Sequence, residues 1–265
     1  MPRWRRGLLA AVLALLAAAC GQTGAASSNA PAPARSGTGQ LSGELTVFAA
    51  ASLTDAFERL GAIFESDHPG VTVTFNFAGS QQLATQIVEG APADVFASAS
   101  GAQMDVVANA GLVAGEPVAI ATNRLEIAVE PGNPNDIADL SDLARDDVTV
   151  VLTAEDVPAG QYAREALDAA GITVAPVSLE TDVRAVLAKV ALGEADAGIV
   201  YASDIVAAGD DVTGVEIPAA QNVTATYPAA VVSDSPNPAA AQAFLRFLTS
   251  DAARETLRQL GFSAP

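Results

Sequence analysis

Two serines, Ser52 and Ser80, occupy the same kind of position in the chain, each behind a strand and small residues at the start of a helix. Leu45–Ala49 predicts a buried strand that passes through Ala50 and Ala51 to Ser52, with Asp55 three residues on at the spacing of a capping box. Val71–Phe77 alternates as a strand, and Ala78-Gly79-Ser80 then leads into a helix over Gln81–Glu89. Two more turns offer bare backbone N–H groups. Pro158-Ala159-Gly160 enters the helix Tyr162–Ala170, and Val183 opens a helix whose buried face is Val183, Val186, Leu187 and Val190. Tyr201 closes the apolar run Ala197–Tyr201 with a phenol. Free N–H groups at helix starts, with the positive end of the helix dipole, favour an anion. A lone serine at a helix start is more often a cap than a ligand. Recurrence is what distinguishes this chain: four turns and a phenol, with Arg184 the only base among them, predict a small anion held by neutral donors.

The elements that must position these groups alternate strand with helix, which predicts an α/β protein with mostly parallel sheets. The order fits a two-lobed fold: residues 44–121 and 225–265 form lobe I, and 122–224 form lobe II as an insertion. Ser52 and Ser80 then belong to lobe I, and Ala159, Val183 and Tyr201 to lobe II. Ligands of open α/β sheets sit beyond the carboxyl ends of strands, so the expected site is the interlobe cleft. Further strands are expected at Val118–Ala121 and Leu125–Val129, on either side of Thr122-Asn123-Arg124, and at Val148–Leu152, Thr173–Val177, Val215–Ile217 and Ala229–Val232. Closing helices are expected at Ala239–Thr249 and Ala252–Leu260.

The first twenty residues read as a targeting segment. Arg3, Arg5 and Arg6 precede an apolar run, Gly7–Ala19, too short to span a bilayer, which needs roughly 20 residues. The run ends at Cys20, the single cysteine of the 265-residue chain. That pattern is similar to a bacterial lipoprotein signal in which Cys20 is lipidated, although Ala17 departs from the usual Leu or Val. Residues 21–43 are poor in large apolar side chains and read as a flexible tether. A formal net charge of −18 argues against nucleic acid or an anionic membrane surface as partner.

Nothing in the chain predicts catalysis. His68 is the only histidine and lies in the breaker Asp67-His68-Pro69-Gly70. There is no nucleophile elbow, zinc-spaced His/Cys cluster or phosphate loop. No cofactor is expected. Three rival readings stay open. A ferric-ion binder would need phenolates from Tyr162, Tyr201 and Tyr227. A carboxylate binder would use Arg124, Arg164 or Arg184. An anchored lipoprotein without a ligand would be indifferent to every oxyanion.

Taken together, Val47–Thr54, Phe77–Ser80, Gly90–Phe96, Val157–Ala163, Asp182-Val183-Arg184 and Gly198–Asp204 resemble the molybdate-binding proteins of molybdate ABC transporters, in order and over about Leu45–Phe262. The resemblance implies a type II periplasmic-binding-protein fold. It also implies a monomer that binds molybdate or tungstate and delivers it to an ABC permease from the outer face of the cytoplasmic membrane, anchored only by its lipid. It assigns the ligand to the hydroxyls of Ser52, Ser80 and Tyr201 and to amides including Ala159 and Val183. The chain departs from that pattern at Gly79, where a serine is frequent, and at Gln81-Gln82, where Ser-Thr is common.

Overall fold

The computed structural model describes residues 40–265, which form one compact unit. The expected leader, the anchor Cys20 and nearly all of the tether lie outside the described residues. Strand β1 (Gly43–Ala50) passes through a 3-10 turn, Ala51–Leu53, into helix α1 (Thr54–Asp67). Strand β2 (Val71–Ala78) leads to α2 (Ser80–Val88), and β3 (Val95–Ala97) to α3 (Gly101–Asn109). The long strand β4 (Val113–Val129) follows. Then come β5 (Val150–Thr153), α4 (Pro158–Ala170), β6 (Ser178–Glu180), α5 (Val183–Ala191), β7 (Ala197–Tyr201) and α6 (Ala202–Ala208). The chain ends with β8 (Thr213–Glu216), β9 (Thr224–Val232), α7 (Pro238–Leu248) and α8 (Asp251–Gln259).

The strands form one mixed sheet in the order β2-β1-β3-β9-β4-β7-β5-β6, with β8 on β4. β1 runs parallel to β2 and β3 at one end, and β5 runs parallel to β6 and β7 at the other. Between these groups β4 and β9 are antiparallel to their neighbours. The sheet is therefore parallel where strands feed helices and antiparallel where the chain crosses over.

Three expectations change. The segments Val118–Ala121 and Leu125–Val129 are a single strand, because Thr122, Asn123 and Arg124 keep the ladder by pairing with Thr226, Ala225 and Thr224. Beyond them, Leu125–Val129 changes partner to β7. A polar triplet that reads as a break is the point where one strand passes between two groups of neighbours. Thr173–Val177 is not a strand. Pro176 has no N–H for a ladder, and pairing with β5 begins at Ser178, opposite Val151. Ser52 does not cap α1, since the residue before that helix is Leu53 and no side chain caps it.

At one end the main core is aromatic. Phe57 and Phe64 of α1 meet Phe244 of α7 edge-on, with ring centroids 6.2 and 5.1 Å apart, and all three are buried. Each buried phenylalanine contributes roughly 1.5–3 kcal/mol. The same core continues as an aliphatic layer that packs β7 against Val186 and Val190 of α5. A methyl on Gly160 would lie 2.6 Å from the carbonyl oxygen of Thr153, so α4 starts directly against the end of β5. Gly160→Ala is expected to destabilise the fold by about 1–3 kcal/mol, the usual cost of overpacking, despite alanine's better helix propensity. An unchanged thermal melt would show that the helix start yields.

Candidate functional site

Each group singled out from the sequence sits at the carboxyl end of a strand. Ser52 lies in the turn after β1 and is 3% exposed. Its Oγ is 2.9 Å from the hydroxyl of Tyr227 on β9. Asp55, which would have completed a capping box, instead meets the guanidinium of Arg184. Ser80 is the first residue of α2 and is buried, and its Oγ accepts the Ala99 N–H at 3.0 Å.

Across the sheet, Pro158 takes the first position of α4, where its missing N–H costs nothing, and Ala159 follows. Val183 opens α5 behind Asp182, whose carboxylate accepts the N–H groups of Arg184 at 2.9 Å and Ala185 at 3.1 Å. Among the described residues no acceptor takes the N–H of Ala159 or Val183. Tyr201 ends β7 with its hydroxyl buried and without a hydrogen-bond partner.

These five residues line one tight cavity of about 10 Å3, together with Gly79, Ala99, Pro158 and Asp182. Ligand pockets for drug-sized molecules run from about 300 to 1,000 Å3, so this one suits a small ion. No Lys, Arg or His lines it, and its one acid, Asp182, is occupied as the cap of α5. The cavity presents donors and almost no free acceptors.

Arg184 stands behind the cavity. It joins Asp55 of α1 to Asp204 of α6, and so links the two ends of the sheet. Its Nε is 3.0 Å from Asp204 Oδ1, close but not aligned as a hydrogen bond. Asp204 is fully buried. Burial pushes its carboxyl up to about 6, against the opposing pull of Arg184 and of the Tyr201 N–H, which donates to Oδ2 at 3.0 Å. Gln81 makes a second link. Its Nε2 donates to the Thr181 carbonyl at 2.9 Å, and a Cβ at Gly79 would lie 2.5 Å from its Oε1. The missing side chain at Gly79 is what makes room for the Gln81 side chain, so the two departures from the family pattern are coupled.

Burial also pushes the phenols of Tyr201 and Tyr227 up. Of the three tyrosines a ferric site would need, Tyr201 alone lines the cavity, which runs against that rival. Of the arginines considered for a carboxylate ligand, Arg124 pairs with Glu126 and Glu216, Arg164 with Glu155, and none lines the cavity. Tyr227 was named from the sequence only for the ferric-ion rival, and neither its contact with Ser52 nor the Ala99 N–H was foreseen. Tyr227 precedes a proline in a run that reads only as a strand, and a backbone donor from a loop leaves no signal.

A sheet with parallel groups at both ends, and a donor-lined cavity at their carboxyl ends, defines a binding protein of the two-lobed periplasmic type. The chain belongs to the family described as bacterial extracellular solute-binding protein, whose model matches residues 45–263. It is 46% identical to the molybdate-binding protein ModA of Mycobacterium tuberculosis over 259 residues, covering 98% of this chain and 97% of that protein. Among solved structures, the periplasmic molybdate-binding protein of Azotobacter vinelandii aligns with a TM-score of 0.75 at 22% identity, covering 83% of this chain and 99% of the other. The sulfate-binding protein SubI of M. tuberculosis aligns equally well, with a TM-score of 0.75 at 21% identity, over 83% of this chain and 86% of SubI. At that level of identity the two structures speak for the fold alone.

Proposed function

We propose that this protein captures molybdate or tungstate in the cavity and delivers it to an ABC permease. Ser52, Ser80 and Tyr201 donate from hydroxyls, and Ala159 and Val183 from amides. The observation that carries the reading is the donor set itself: a buried phenol and two helix-start N–H groups without acceptors, around a small cavity with no cationic side chain. A fully deprotonated tetrahedral oxyanion only accepts hydrogen bonds, which matches such a set. Hydrogen phosphate brings an O–H of its own that would be buried unpaired, at about 1–3 kcal/mol. Sulfate has the right protonation and must be rejected by size.

In this reading residues 44–121 and 225–265 form lobe I, 122–224 form lobe II, and β4 and β9 cross between them. The protein works as a monomer outside the cytoplasmic membrane, held by a lipid on Cys20 and by the tether of residues 21–43. Calorimetric titration with molybdate, tungstate, sulfate and phosphate tests the assignment. Tight one-to-one binding of molybdate or tungstate, with weak sulfate and silent phosphate, is the expected result. No heat with any of the four overturns it.

A further inference from the structure

Tyr227 touches the site through Ser52, and we infer that it is a positioning residue for oxyanion selection: its hydroxyl donates to Ser52 Oγ and so turns the serine's proton into the cavity. This rests on the oxyanion reading above. A serine hydroxyl has one proton and two lone pairs, and the 2.9 Å contact between Ser52 and Tyr227 admits either atom as donor. The surroundings of Tyr227 decide between them. The residue is 0% exposed and sits on β9 opposite Ala121. Its ring packs edge-on against Tyr201 and Phe262, with centroids 5.8 and 5.4 Å away. Ser52 Oγ is the acceptor aligned with its hydroxyl, while the Asn123 amide beside it donates to Ser203.

If Ser52 donated to Tyr227, the phenol proton would have no aligned acceptor, because the nearby Asn123 amide is occupied by Ser203 and the Arg124 N–H and the Tyr201 hydroxyl makes no hydrogen bond with it. If Tyr227 donates, its own proton is used and the Ser52 proton has one remaining destination, an acceptor in the cavity. The chain from Tyr227 O–H through Ser52 O–H to the anion then strengthens each link by polarisation. Ser80 is arranged in the same way, because the fixed Ala99 N–H can only donate to its oxygen. A freely turning Ser52 could accept an O–H from a protonated ligand. Held by Tyr227, it presents its proton instead, and the site prefers the fully deprotonated ion.

The test removes only the phenol oxygen. Molybdate and hydrogen phosphate are titrated into the purified wild type, Tyr227→Phe, Ser52→Ala and the double variant. Tyr227→Phe is expected to weaken molybdate roughly tenfold and to narrow the ratio of molybdate to phosphate affinity. In the Ser52→Ala background the same change is expected to have no further effect, which a merely structural role would not produce. Unchanged molybdate affinity, an unchanged ratio, or an equal loss with and without Ser52 would overturn the inference. Should Tyr227→Phe not fold, wild-type protein labelled at tyrosine Cζ gives the second readout. A Tyr227 resonance that moves on adding molybdate supports the donor chain, and one that stays fixed overturns it. A wild type that binds no oxyanion would instead overturn the reading of the site, and this inference with it.

Discussion

Replacing Tyr201 with phenylalanine is expected to weaken oxyanion binding by roughly 10- to 100-fold, while the ligand-free protein melts at the same temperature or higher. The two signs come from one observation. The Tyr201 hydroxyl is buried and no protein group accepts its proton. A hydrogen bond from such a donor to a charged acceptor is worth about 1.5–3 kcal/mol, and each 1.4 kcal/mol is tenfold in affinity. Without the anion the same hydroxyl is a buried polar group short of a partner, which costs rather than stabilises. Most core substitutions lower stability and leave distant binding alone. This one is expected to do the reverse, so calorimetry and a thermal melt on the same samples decide it. A lower melting temperature with unchanged affinity would place the hydroxyl in the fold and not in the site.

Arg184→Met is expected to be the most damaging single change away from the cavity wall, at about 3–5 kcal/mol near neutral pH. That is the usual cost of leaving a buried charge without its partner, and the charge here is Asp204, which is fully buried. The other partner, Asp55, is partly exposed and loses less. The cost has a definite pH dependence. In the folded protein the Asp204 carboxyl is raised from an ordinary 3.8 to about 6, so between those values the folded state holds more protons than the unfolded chain. The stability contributed by protonated Asp204 is therefore fully present below about pH 4 and is lost as pH rises through 6. Removing Arg184 removes the main influence holding that value down, which moves the loss to still higher pH. Urea unfolding at pH 5 and pH 8 should show the variant closer to wild type at pH 5. An equal deficit at both would mean that Asp204 is not the group left stranded.

The parts of the fold legible in the sequence were those with strong local periodicity. Helices α1, α5 and α7 and strands β1, β2 and β7 follow their apolar patterns, and the structure brings Ser52, Ser80, Ala159, Val183 and Tyr201 to one cavity. What was not legible depends on partners far away in the chain. Thr122-Asn123-Arg124 is polar and reads as a break, yet it is held in a ladder by β9 from a hundred residues further on. Thr173–Val177 has β-branched residues at strand spacing but meets no free edge until Ser178. The capping box at Ser52 and Asp55 had the right spacing. It lost to tertiary partners, because Tyr227 takes the serine and Arg184 takes the acid. Local rules give way where a long-range polar contact is available, and here those contacts surround the site.

The place of β9 in the sheet also constrains the order of assembly. β3 finds its second neighbour only in β9, where Phe96 lies opposite Ala230, and everything between them must be made before that pairing can close. A chain emerging from its N-terminus therefore carries β1, β2 and β3 as an incomplete sheet with an open edge until nearly the last forty residues appear. Pairings over such sequence distances are slow to form, and Phe57 and Phe64 of α1 lack their edge-on partner Phe244 until α7 is made. The long strand β4 likewise waits for β9, its partner from Val113 to Arg124, so both neighbours of β9 stay half-paired until it is made.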